Sequence, residues 1–102
     1  MITHTLVYSF ADTFTKPDRQ AFFAELGEIF QGSELVESFD YRMHVPLPTD
    51  DHAPVFVASA VAWIRCADSA SLEAVSAQPE LVQFKGRWQK KSPYRVVWVN
   101  YE

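Results

Sequence analysis

The chain has 102 residues, enough for one domain with a modest core, and thirteen acidic against nine basic side chains give it a formal charge of −4. That balance argues against nucleic acid or an anionic membrane surface as a partner. One cysteine, Cys66, excludes an intrachain disulfide and any site built on several thiolates.

The opening residues Met1 to Thr5 lack the basic and apolar stretch of a signal peptide, and no stretch has the length of a membrane span, so a cytoplasmic protein is expected. Ile2 to Phe10 alternates, placing Ile2, His4, Leu6, Tyr8 and Phe10 on one face and Thr3, Thr5, Val7 and Ser9 on the other. This reads as a first strand. Thr15 then fits the N-cap of a helix, with Pro17 and Asp18 in the first turn. Phe22, Phe23, Leu26, Ile29 and Phe30 form its apolar stripe, and Gly32 is expected to close it in a left-handed cap.

Leu35 to Val45 returns to alternation, with Phe39, Tyr41, Met43 and Val45 opposite Ser38, Asp40, Arg42 and His44. One side is polar, which suits an edge strand, and Asp40, Arg42 and His44 read as a surface or interface ion-pair set. Pro46 to Pro54 is a loop by composition. Within it Asp50, Asp51 and His52 fit a solvated turn, and no metal site is expected.

Val55 to Ile64 runs ten residues without a formal charge, glycine or proline and predicts a central strand buried on both faces. Val55, Val57, Val61 and Trp63 would point one way, and Phe56, Ala58, Ala60, Ala62 and Ile64 the other. Two helical segments can roof only one face of a small sheet. Exposing the large odd-numbered side chains would forfeit roughly 1.5–3 kcal/mol each, a sum comparable with the ~5–15 kcal/mol that stabilises a domain. A homodimer through the open sheet face is therefore expected. The small alanines would either leave room for a ligand under the helices or let a helix pack close.

Asp68 or Ser69 begins a second helix with Leu72 and Val75 as first apolar contacts, and Pro79 breaks it near Gln78. Leu81, Phe84 and Trp88 stripe the second piece, while Lys85, Arg87, Lys90 and Lys91 read as cations complementing its C-terminal dipole. Pro93 stops the helix and Tyr94 to Tyr101 is a last strand. The order β-α-β-β-α-β is that of an α+β, ferredoxin-like unit, an antiparallel four-stranded sheet with its helices on one face.

The segments ITHTLVYSF, AFFAEL, SLEAVSAQPELVQF with its mid-helix proline, and YRVVWVNYE resemble the stress-responsive dimeric A/B barrel family over nearly the whole chain. The resemblance implies one such domain over 1–102 and a barrel made by two protomers joined through their sheets. Enzymatic relatives include plant polyketide cyclases that make olivetolic acid, with an apolar pocket between sheet and helices. By that resemblance His4 matches a histidine early in the first strand that points into the pocket beside Leu6 and Tyr8, and Phe22 and Phe23 match paired aromatics on the first helix. The second helix departs from the cyclase: Val75 stands where it has a tyrosine, Leu81 where it has its basic histidine, and Gln78 where it has another histidine. The cyclase's base is thus not carried over to this chain.

His4 and Tyr8 are the candidate catalytic residues, and Leu6, Phe22, Phe23, Leu26, Val75, Leu81, Phe84 and Trp88 the candidate lining of a pocket for a small apolar or aromatic ligand. No cofactor is implied. The plainer reading of His4 is a histidine satisfied by a carbonyl or a tyrosine hydroxyl. Trp88 is expected at the pocket mouth, Trp63 and Trp98 in the core or between protomers. Three functions fit: a pocket protein that binds, or without a cofactor transforms, such a ligand; a structural or stress-related dimer with a filled interior; or, by fold analogy, a cofactor-independent monooxygenase.

Overall fold

The computed structural model describes residues 1–102. Its elements are β1 (Ile2–Phe10), α1 (Lys16–Gln31), β2 (Val36–Met43), β3 (Ala60–Cys66), α2 (Ser69–Ser76), α3 (Pro79–Lys91) and β4 (Tyr94–Tyr101), with a short 3-10 turn, Pro48–His52, between β2 and β3. The strands form one sheet in the order β2-β3-β1-β4, every neighbouring pair antiparallel. This is the ferredoxin-like arrangement, with β2 and β4 at the edges.

Local chemistry accounts for the helix boundaries. The Thr15 hydroxyl accepts from the Asp18 amide while the Asp18 carboxylate accepts from the Thr15 amide, a reciprocal cap that satisfies donors the first turn leaves open. Asp68 caps α2 in one direction only, its carboxylate accepting from the Ser71 amide at 2.8 Å. Pro79 separates α2 from α3 and occupies the first turn of the latter, where its missing N–H costs nothing. Gly32 ends α1 differently from expectation. Its backbone stays right-handed at φ −78° and its N–H bonds to the Glu28 carbonyl at 3.0 Å, so no left-handed cap is needed.

The stretch from Val55 is strand only from Ala60 onward. Tyr8 of β1 and Met43 of β2 both pair with Ala60, where both ladders end. Ser59 closes them: its N–H donates to the Tyr8 carbonyl, its carbonyl accepts from His44, and its hydroxyl takes the Phe10 N–H. Val55, Phe56 and Val57 have no strand to pair with and are exposed. The open sheet face keeps Val61 and Trp63 of β3 as expected, while Val7 of β1 and Val97 and Val99 of β4, the last two 60% and 50% exposed, stand in place of Val55 and Val57.

Between the sheet and the helices lies a core dominated by aromatic rings. Phe22 and Phe23 of α1 meet Tyr8 edge-on, Phe22 also meets Phe84 and Trp88 of α3, and Phe14, in the turn after β1, stacks on Phe10. Such offset and edge-on contacts favour the ring quadrupoles. Ala60 and Ala62 are buried against this layer, Ala62 between Leu6 and Tyr41 in the ladder, so small side chains here bring elements close together.

Two polar ties cross between α1 and α3, the looser being Lys91 with Asp18 at 3.6 Å. The Glu25 carboxylate of α1 accepts from the Arg87 guanidinium and the Trp88 indole N–H of α3, and hydrogen bonding, chiefly from Arg87, holds its carboxyl below the ordinary value of 4.5. A depressed acid stabilises the fold above its unfolded pKa, and that contribution is lost as pH falls through the lowered folded value. Glu25→Gln should cost about 0.2–1 kcal/mol at pH 7, as for a partly exposed pair, and less at pH 2.5. Urea unfolding of both proteins at the two pH values measures this.

Candidate functional site

The side chains on the helix face of β1 point toward a cavity because α1 packs on β2, and α3 leans on α1 and α2. The space between α3 and β4 is left to side chains. They enclose a cavity of about 240 Å³, ten of whose fourteen lining residues are hydrophobic. Leu6, Leu26, Phe30, Ile64, Leu81, Phe84 and Val96 make its apolar wall. His4 and Tyr8 reach it from β1, Tyr94 and Trp98 from β4, Lys85 and Gln89 from α3, and Ser76 from α2.

The polar groups are constrained differently. His4 is half-buried, its Nδ1 hydrogen-bonded to Oδ1 of Asn100 across the β1–β4 ladder at 2.5 Å and its ring edge-on to Trp98 at 5.4 Å. Its partner is thus a side-chain amide, neither of the partners anticipated from sequence. With Oδ1 as acceptor Nδ1 is the donor, and Nε2 makes no hydrogen bond within the chain. Tyr8 is 3% exposed, and burial, then the neighbouring Tyr94, push its phenol far above the ordinary range. Burial also raises Tyr94. Both hydroxyls stay protonated and can donate. Gln89 is spent on the backbone of Tyr94, donating to its carbonyl and accepting from its N–H.

Of the residues predicted to form the pocket, His4, Leu6, Tyr8, Leu26, Leu81 and Phe84 surround the cavity. Phe22, Phe23, Val75 and Trp88 do not; they are packed in the core behind it. The two tryptophans exchange their expected places. Trp88 is 7% exposed with its N–H directed to Glu25, whereas Trp98, on the edge strand, is 55% exposed at the cavity rim. Lys85 and Tyr94 were not anticipated as lining. A helical signal for Lys85 exists: it follows Leu81 by four residues and precedes Trp88 by three, on the same stripe.

Other polar clusters are structural. Asp40 pairs with Arg42 on the exposed edge strand. Asp50 accepts from the Leu47 amide at 3.0 Å and meets His44 Nε2 at 2.8 Å, closing its turn. Cys66 is buried, and desolvation raises its thiol. No helix is long and apolar enough to cross a membrane.

No protein-family model matches the sequence, and no curated protein matches it. Solved structures do match its shape. The Arabidopsis thaliana protein At3g17210 superposes with a TM-score of 0.81 at 15% identity, over 100% of this chain and 94% of that one. A Dabb family protein with a ferredoxin-like fold from Mesorhizobium loti gives 0.75 at 18% identity, over 99% and 94%. A dimeric ferredoxin-like protein of unknown function from Thermobifida fusca gives 0.76 at 12% identity, over 98% and 88%. The chain thus has the ferredoxin-like fold of a Dabb protein, and at these identities the likeness is one of fold.

Proposed function

We propose that this chain is a Dabb-type protein that binds a small apolar or aromatic molecule in the cavity between β1, α3 and β4. The mostly apolar recess with a few polar groups on its wall is the observation that carries this reading. At about 240 Å³ the cavity suits a one- or two-ring compound. A panel of such compounds, 2-naphthamide among them, should give ligand-observed NMR signals with the wild type, and Val96→Phe, which fills the cavity from the edge strand, should remove them. Silence from the whole panel, or equal binding by the variant, would discard the cavity as a binding site.

The same reading includes a homodimer through the open sheet face. The apolar band of Val7, Val61, Trp63, Val97 and Val99 supports it, as does the dimeric state named for the Thermobifida fusca neighbour. Val97→Asp would bury an unpaired charge at such an interface. Light scattering coupled to size exclusion should show a wild-type dimer and a monomeric variant, and a wild-type monomer at micromolar concentration would remove this part.

Catalysis is a second reading, favoured by the contact of His4 Nδ1 with Asn100 and by the protonated Tyr8 further along the same cavity wall. Nε2 of His4 would take the α-proton of a bound carbonyl compound and Tyr8 would donate to the developing enolate oxygen. In D2O the wild type should speed α-deuteration of a bound acetyl-aromatic ketone by at least about 100-fold over His4→Gln, with unchanged affinity. Equal exchange rates in the two proteins would leave a binder alone.

A further inference from the structure

Lys85 stands out once the cavity is drawn. It sits on the inward stripe of α3, half-buried, its Nζ 5.4 Å from the centre of the Trp98 ring. It belongs to none of the four ion pairs of the chain, which join Arg42 to Asp40, His44 to Asp50, Arg87 to Glu25 and Lys91 to Asp18. No aspartate or glutamate lines the cavity. An ammonium group at an apolar wall with only an aromatic face for company has given up hydration without gaining a counter-charge.

We propose that Lys85 is a specificity residue that selects ligands bearing a carboxylate on an aromatic or acyl frame and pairs with that carboxylate at the cavity wall. This rests on the cavity being a ligand site and adds the chemical class of the ligand. The remaining groups agree with it. The hydroxyls of Tyr8 and Tyr94 are donors held in their protonated form, so with Lys85 the wall offers donors and positive charge to an oxygen-rich, anionic group. Burial lowers the pKa of Lys85, the mark of a desolvated cation that an incoming anion would restore. Charge-assisted hydrogen bonds are shorter and stronger than neutral ones. The plainer alternative is an aliphatic stem that covers Trp98 while the ammonium reaches water. It predicts no discrimination between charged and neutral ligands.

Calorimetric titration at pH 7 with 2-naphthoate and 2-naphthamide, which differ in charge and hardly in shape, decides between them. The wild type should bind the naphthoate at least about tenfold more tightly. Lys85→Met should abolish that preference while leaving naphthamide affinity within about twofold, and Lys85→Arg should keep it. Equal wild-type affinities, or a preference that survives in Lys85→Met, would overturn the role of Lys85 while the cavity remains a binding site. Binding of neither compound by the wild type would overturn both. Should Lys85→Met fail to fold, Lys85→Gln replaces it, and the wild-type comparison alone still separates selection from mere packing.

Discussion

Strand β1 is hydrogen-bonded along both edges, to β3 and to β4, and that double ladder fixes the direction of every side chain it carries. A slip of one residue would send Leu6, Tyr8 and Phe10 to the open face and Thr5, Val7 and Ser9 into the core. The buried aromatics make such a slip prohibitive: Tyr8 and Phe10 each touch several rings from α1 and β4. His4 inherits its place in the cavity from this register, since it lies on the same face two residues before Leu6.

The cavity follows from what the helices do not cover. Four strands need more roof than a helix of sixteen residues and two shorter pieces provide, and the pieces concentrate over β2, β3 and each other. Along β4 the inward side chains are Tyr94, Val96, Trp98 and Asn100, which grow more exposed toward the end of the strand. The cavity therefore grades from aromatic core at Tyr8 and Tyr94 to a wetter rim at Trp98 and Lys85. An amphipathic ligand would lie along that gradient with its apolar end inward.

Strand alternation, the Thr15 and Asp68 caps and the break at Pro79 were legible in the sequence because each rests on a local rule. Where a residue's fate depends on a neighbour distant in sequence, local rules lose their hold. Val55 to Val57 has the composition of a strand, yet the ladders that β3 makes with β1 and β2 both end at Ala60, and without a partner no strand forms. Trp88 and Trp98 look alike in hydropathy, and only the lie of α3 against α1 decides which one Glu25 caps inside the core. Phe22, Phe23 and Val75 were rightly read as inward-facing, but periodicity cannot distinguish a core wall from a cavity wall. Lys85 was hidden by its companions: Arg87, Lys90 and Lys91 form a charged helix end, and the fourth cation lies roughly 120–160° around the helix from each of them.

The sheet is one residue thick, so the two proposed interfaces of this chain share a backbone. Leu6 faces the cavity and Val7 the open face, and on β4 Val96 and Trp98 alternate with Val97 and Val99 in the same way. Trp98 at the cavity rim hangs on an edge strand that has one ladder only, the least restrained backbone of the sheet. Burying Val97 and Val99 against a second protomer would press that strand onto β1 and fix the position of Trp98, against which Lys85 rests. Assembly on one face would in this way stiffen the binding wall on the other, with the strand itself as the coupling element.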